Sequence, residues 1–445
     1  MNMGKNAREV ALEALERCRR DGAWSSFALD SLLKSAALNK RDAALVSRLF
    51  LGVLQNQRYC DYYIGMFCSR KLETLQPRLL DILRLGAYEL LCLDKIPPRA
   101  AVNETVALCR AVGFERASGL INAVLRRLAE NRGQLPEIPG KGTATYLAIR
   151  YSHPEWLARR MIEEHDYAFA EAFLAANNEP ADLAIQINTL KVRPEDYQHV
   201  LRRAEIAFTA FPGLPDCLLL SGGPVSDLPG YEEGLFYVQD PAARLAVMAA
   251  APQAGMRVLD ACSAPGGKSF SAAIAMENEG GILSCDIHEK KLKLVRTGAE
   301  RLGITCLRTC PKDARVYDAS VQERYDLVLA DVPCSGLGVI RKRPEIRNKR
   351  ESELASLPEI QAAILDNLAK AVRPGGLLLY STCTVLRAEN QNVIEGFLKA
   401  HTEFAAEDFQ IGNITSRNGM YSFWPHIDGT DGFFAAKLRK KQKTQ

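Results

Sequence analysis

The sequence predicts an α/β domain built on a doubly wound parallel sheet, preceded by an all-helical domain and a small α+β unit. Three features carry that expectation. From about Tyr231 onward, short apolar runs alternate with helix-periodic stretches, the pattern of parallel strands joined by crossover helices. From Ala7 to about Glu130 the periodicity is helical almost throughout. Between them, beginning at Asp182, Leu183-Ala184-Ile185-Gln186-Ile187-Asn188 alternates as a half-buried strand does. At 445 residues the chain exceeds one ordinary core. The expected domains are residues 1–135, 145–230 and 231–445.

In the first domain, Ala11, Leu12, Ala14 and Leu15 begin an apolar stripe, and Leu79, Leu80, Ile82, Leu83, Leu85, Ala87, Leu90 and Leu91 form a denser one. Asp94-Lys95-Ile96-Pro97-Pro98 must break a helix, because proline lacks an amide and restricts its predecessor. Asn103 and Glu104 lie near the start of the next helix, which reaches a turn around Gly113. The last helix spans Ala117 to Arg127. Residues 131–145, with Gly133, Pro136, Pro139, Gly140 and Gly142, form a linker. Tyr151-Ser152-His153-Pro154 then opens a helical stretch to about Asn177, with His153 placed to cap and position the chain rather than to catalyse.

Charge divides unevenly. Residues 1–150 hold 23 Lys and Arg against 15 Asp and Glu, whereas the remainder holds 34 against 38. A basic front ahead of a slightly acidic body suggests a polyanion, with nucleic acid first in line; a merely solvated face is the alternative. The N-terminus, Met1 to Glu9, has no apolar signal region, and no apolar stretch approaches the roughly 18 residues of a membrane span. Twelve cysteines without a C-x-x-C pair predict reduced thiols, no disulfide framework and no metal site. The expected setting is cytoplasmic, without membrane. There are no internal repeats, and low complexity is confined to the basic tail Lys437 to Lys443.

The small unit is completed by a helix introduced by Pro194 and Glu195 and by strands near Phe208 and Leu218-Leu219-Leu220. Strands of the large sheet are expected at Arg257–Ala261, Ile282–Asp286, Thr305–Arg308, Leu327–Ala330 and Leu377–Tyr380. Helices fit between them at Lys268–Met276, Glu289–Arg301 and Ile360–Val372, and Gly432–Leu438 is one more strand.

After the first of these strands comes Asp260-Ala261-Cys262-Ser263-Ala264-Pro265-Gly266-Gly267-Lys268-Ser269. A glycine pair between strand and helix lets backbone approach a ligand and brings helix N-terminal amides to it. Gly267-Lys268-Ser269 ends a P-loop correctly, but Cys262 replaces its first glycine, and the G-x-G-x-x-G of a dinucleotide site is missing. The next strand ends in Asp286, which can bind a ribose diol, and Asp313 follows the third. Ribose and adenine recognition without a phosphate cradle suits S-adenosylmethionine.

These residues resemble two families. Lys95-Ile96-Pro97, Val102-Asn103-Glu104-Thr105-Val106 and Asn122-Ala123-Val124-Leu125-Arg126 make residues from Ala7 to about Arg127 similar to the helical RNA-binding domain of the NusB family. The loop Asp260 to Lys268, with Asp286, Asp313, Asp331-Val332-Pro333-Cys334-Ser335-Gly336 and Ser381-Thr382-Cys383-Thr384, resembles the cytosine-5 RNA methyltransferases of the NOL/NOP2/Sun family. Val332 and Ser263 replace the more usual alanines. Both halves together resemble the bacterial Sun/Fmu/RsmB-type branch, which methylates small-subunit ribosomal RNA. The resemblance implies a class I methyltransferase fold and S-adenosylmethionine held by Cys262, Ser263, Ala264, Pro265, Gly266, Gly267 and Lys268. It also implies that Asp286, Asp313 and Asp331 contact cofactor or base. Tyr237-Val238-Gln239-Asp240-Pro241-Ala242-Ala243 matches a family motif that packs beside the active site, although Asp240 capping a helix with Pro241 in its first turn is an adequate structural reason for it.

Cytosine C5 is too weak a nucleophile to take a methyl group unaided. A thiolate added at C6 makes C5 enamine-like, and a carboxyl group at the N3 edge, here Asp331, offsets the developing charge. A Pro-Cys nucleophile, as in DNA cytosine methyltransferases, would be Cys334; the RNA family implies instead that Cys383 attacks and Cys334 helps to release product. Considered singly, either cysteine is an ordinary core residue. Arg341, Lys342, Arg343, Arg347, Lys349 and Arg350 follow as a basic loop expected to bind phosphate. The expected partner is 16S ribosomal RNA, with no DNA, bound by a monomer. Alternatives are transfer RNA, an RNA-binding assembly factor with a degenerate methyltransferase domain, and a nucleotide hydrolase using Gly267-Lys268-Ser269.

Overall fold

The computed structural model describes all residues except 1–4, 22–24, 37, 222 and 443–445, so Met1–Gly4 and Lys443 of the basic tail lie outside the described residues. Two compact units are formed. One runs to Glu179 and includes Ile340–Glu351; the other comprises Pro180–Val339 and the chain from Ser352.

In the helical unit, α1 (Ala7–Asp21), α2 (Ser25–Ser35), α3 (Lys40–Phe67), α4 (Pro77–Cys92), α5 (Pro98–Ala111) and α6 (Ser118–Asn131) share one core. The predicted stripes point into it: Ala11, Leu12, Ala14 and Leu15 are buried, as are Leu79, Ile82, Leu83, Leu85, Ala87 and Leu90. Pro98 sits in the first turn of α5, where its missing amide costs no hydrogen bond. Three further helices follow, α7 (Ala144–Arg150), α8 (Glu155–Glu164) and α9 (Tyr167–Ala176). The expected single stretch to Asn177 is therefore broken. Asp166 accepts from the Phe169 amide and starts a new helix.

The basic loop needs correction. Arg347 is 1% exposed. Its guanidinium donates to the carbonyls of Gln55, Tyr151, Ser152 and Asn177 and to Asn178 Oδ1, at 2.8 to 3.1 Å. His153 is equally buried beside it, with Nδ1 on the Tyr151 carbonyl at 2.7 Å. Burial, reinforced by Arg347, keeps its imidazole well below the ordinary histidine range and so neutral. Arg347 thus closes the helical unit and is not available to phosphate. Arg347→Ala orphans these oxygens and is expected to cost roughly 3 kcal/mol of stability, measured by denaturant unfolding. Lysine is not expected to rescue it, because a point cation cannot fan out to five oxygens.

The second unit holds two sheets. The smaller is antiparallel, in the order β2-β3-β1-β4, from β1 (Leu183–Ile187), β2 (Phe208–Phe211), β3 (Leu214–Leu220) and β4 (Phe236–Val238), with α10 (Pro194–Arg203) between β1 and β2. Helix α11 (Pro241–Ala249) leads on to the larger sheet, and Asp240 caps it by accepting from the Ala242 amide at 2.9 Å.

The larger sheet contains β5 (Arg257–Asp260), β6 (Gly281–Asp286), β7 (Leu307–Pro311), β8 (Tyr325–Asp331) and β9 (Val372–Thr382), all parallel. Crossovers are α12 (Gly267–Ala275), α13 (Glu289–Leu302) and α14 (Leu357–Leu368). The chain continues through α15 (Gln391–Ala400), β10 (Phe404–Ala406), a two-stranded β11 (Gln410–Ile411) and β12 (Ile414–Thr415), β13 (Met420–Phe423), α16 (Pro425–Asp428) and β14 (Phe433–Lys440). β14 runs antiparallel to β9, so the sheet is mixed rather than wholly parallel. Element ends shift from expectation by one to five residues, and two of these shifts have a visible cause. Val372 opens β9 opposite Tyr325 instead of ending a helix. The third strand starts at Leu307 because the Asn278 side chain accepts from the amides of Thr305 and Cys306, keeping them out of the ladder.

Strand order β9-β8-β5-β6-β7 reverses direction between β8 and β5. Asp260 pairs with Leu329 and Ser284, and Asp331 with Ser381. The carboxyl ends of β5, β6, β8 and β9 therefore open on one edge at the switch point, the usual ligand position in such sheets.

Candidate active site

Cys334 lies three residues beyond β8 and Cys383 immediately after β9, so the parallel pairing of these strands brings the cysteines together. Their Sγ atoms are 3.3 Å apart. Two loops hold this approach. The buried Glu389 carboxylate accepts from the Ser335 amide and Gln361 Nε2, both at 2.9 Å, and from Thr384 Oγ1 at 3.3 Å. Ser335 and Thr384 hydroxyls meet at 2.6 Å. Gly338 donates to the Cys383 carbonyl, and a Cβ on Gly338 would lie 1.7 Å from the Gly432 carbonyl oxygen. Only glycine fits there.

The two thiols are electrostatically unequal. The two sulfurs share a hydrogen bond in which either can be the donor; with Cys334 donating, Cys383 is held below its ordinary pKa against the opposing effect of burial, with Lys268 helping. The same hydrogen bond, and then burial, push Cys334 well above its own. Burial also pushes Cys60, Cys217 and Cys285 up. Of the two, Cys383 is the thiol whose pKa is lowered.

Beside it, Lys268 Nζ pairs with Asp331 Oδ2 at 2.7 Å, and Ser381 Oγ donates to Asp331 Oδ1 at 2.8 Å. Burial opposes the Lys268 charge, but Asp331 outweighs it and raises its pKa. Lys268 also stands 4.9 Å from the centre of the Phe433 ring. A cation, a carboxylate and an aromatic face thus adjoin the thiols.

The loop from Cys262 to Lys268 walls a cleft of about 350 Å³. Cys262, Ser263, Ala264, Pro265, Gly267, Lys268 and Asp331 line it. Gly266 turns the chain at φ 116°, a left-handed conformation, and a Cβ there would lie 2.4 Å from the Phe270 ring. Burial pushes the Cys262 thiol far up, so it serves as wall. Asp286 and Asp313 stand at the same sheet edge but do not line the cleft. Asp286 accepts from the His288 amide, and Asp313 pairs with Arg315 at 2.7 Å. The structure thus gathers Cys334, Cys383, Asp331 and the loop, and leaves Asp286 and Asp313 on the flank.

Sequence reasoning missed Glu389, Phe433 and the Lys268–Asp331 pair, which lie far apart in sequence and meet only through strand order. It also missed the buried Asp260 carboxyl, raised by burial to about 7 although Ser269 Oγ donates to it at 2.6 Å. An aspartate raised in the folded state stabilises below the unfolded pKa of about 4, and this contribution is lost as pH rises through the folded value. Asp260→Asn is therefore expected to gain stability relative to the unsubstituted protein between about pH 4 and pH 7, in thermal melts across that range.

No helix among the described residues is long and apolar enough to cross a membrane, and no group of three or more acidic, histidine or cysteine side chains among them is placed to hold a metal. The family model described as 16S rRNA methyltransferase RsmB/F matches residues 247–439, the NusB family model 5–130, and the RsmF/B-like ferredoxin-like domain 153–226. The chain is 33% identical to a probable ribosomal RNA small subunit methyltransferase B of Bacillus subtilis, covering 98% of this chain and 99% of that protein. It is 34% identical, with the same coverage, to the protein so described from Synechocystis. Among solved structures, PH0851 superposes with a TM-score of 0.82 at 25% identity, covering 99% of this chain and 100% of that one. NSun6 from Pyrococcus horikoshii with SFG gives 0.58 at 22% identity, covering 65% and 99%, a likeness of fold. The all-helical front and class I methyltransferase body read from the sequence are thereby established, and the chain belongs to the RsmB/F family of 16S rRNA methyltransferases.

Proposed function

We propose that this RNA methyltransferase uses S-adenosylmethionine to methylate C5 of a cytosine in 16S ribosomal RNA through a covalent bond from Cys383 to C6. The observation that carries the reading is the thiol pair, 3.3 Å apart, beside Lys268 and Asp331. The cleft suits the cofactor: the Gly266–Gly267 turn admits close approach and Ser263 Oγ is buried without a partner, while Asp286, on the flank at the same sheet edge, would reach the ribose from beside the cleft. SFG, an S-adenosylmethionine analogue, in the NSun6 structure agrees with this assignment. The cofactor supplies its methyl group as an electrophilic sulfonium.

The Cys383 thiolate adds to C6, and the ring electron pair moves so that C5 takes the methyl. Asp331 and Lys268 hold the base edge and offset its charge. Loss of the C5 proton lets the C6–S bond break and returns the thiolate, a release that Cys334 assists. The helical front, residues 1–135, supplies RNA affinity, residues 145–230 form the connecting domain and 231–445 carries the chemistry, in a cytoplasmic monomer. Bisulfite sequencing of 16S RNA incubated with enzyme and S-adenosylmethionine is expected to reveal a newly protected cytosine. Methylation at another ring atom, or of transfer RNA alone, would overturn the assignment.

A further inference from the structure

Gln239 lies between β4 and α11, on the wall of the cleft. Its backbone is fixed: the amide donates to the Ala184 carbonyl, and its own carbonyl accepts from Gln186 Nε2 at 3.0 Å. Its side chain is not so engaged. The residue is 7% exposed, yet neither Oε1 nor Nε2 has a hydrogen-bond partner. A buried carboxamide without partners is costly, and a ligand is the natural means of satisfying it.

The direction of the side chain identifies the ligand. A Cβ placed on Gly267 would stand 3.3 Å from Gln239 Nε2, so the carboxamide faces the first turn of α12. That nine-residue helix starts at Gly267, with Gly266 before it offering no side-chain cap, so its first amides are open to an anion. One free donor, one free acceptor and an anion-seeking helix end meet at this point. The cleft is lined by the 262–268 loop and Asp331 and not by the two thiols.

We infer that Gln239 binds the α-amino-acid end of the cofactor: Nε2 donates to the carboxylate at the α12 N-terminus, and the ammonium donates to Oε1. This rests on the proposed use of S-adenosylmethionine and assigns one end of that molecule. Cytosine also offers a donor beside an acceptor but no anion for the helix end.

Calorimetry on the full chain separates the possibilities, using S-adenosylhomocysteine, which has the amino-acid end, and 5′-methylthioadenosine, which lacks it. Gln239→Leu is expected to weaken S-adenosylhomocysteine on the order of 10- to 100-fold and leave methylthioadenosine unchanged. Gln239→Asn keeps the amide but shortens its reach, and is expected to lose affinity for the same ligand alone. Equal weakening of both ligands, or no change in either, would overturn the inference. Unchanged affinity with impaired methyl transfer would overturn it too, and would move Gln239 to the base. If the unsubstituted protein bound neither ligand, the cofactor reading itself would fall.

Discussion

Cys383→Ala is expected to abolish methyl transfer, with a loss on the order of 10⁴-fold or more, because without the nucleophile C5 is never activated. Binding of S-adenosylmethionine should persist, since Cys383 does not line the cleft walled by the 262–268 loop. The covalent protein–RNA complex should be lost as well. Single-turnover transfer of labelled methyl to 16S RNA, with a denaturing gel for the complex, reads both. Full activity in this variant would exclude Cys383 as the attacking group.

Cys334→Ala is expected to behave differently, with turnover slowed roughly 10²- to 10⁴-fold and the covalent complex accumulating, because attack survives and release does not. A second effect comes from the 3.3 Å contact. The Cys334 thiol is the main influence holding Cys383 below its ordinary pKa, and burial and Asp331 act the other way. Removing the donor should raise the Cys383 pKa, so the rate of adduct formation reaches its plateau at higher pH. Cys334→Ser keeps a donor at that place and should restore the lower midpoint without restoring release. A pH profile of adduct formation in the three proteins checks the sign.

Much of this fold was legible because its signals are local. The helical stripes, the Pro97-Pro98 break and the strand–loop–helix from Arg257 to Ala275 are set by residues close in sequence. Where a long-range partner decides, sequence reading fails. The third strand shifts by two residues because Asn278 claims the amides of Thr305 and Cys306. Arg347, one of six basic residues in a short span, resembles a phosphate ligand until the folded chain surrounds it with carbonyls from Gln55 to Asn177. The cysteines were visible as motifs. Their inequality was not, because it arises from a hydrogen bond across two strand ends.

Whether Cys383 makes the bond to the base is read from mass spectrometry of the RNA-linked peptide. The complex trapped with Cys334→Ala is digested with protease and nuclease. A modified cytosine is expected on the peptide containing Cys383. A nucleotide found on any other residue, or no covalent complex in Cys334→Ala but a stable one in Cys383→Ala, would contradict it.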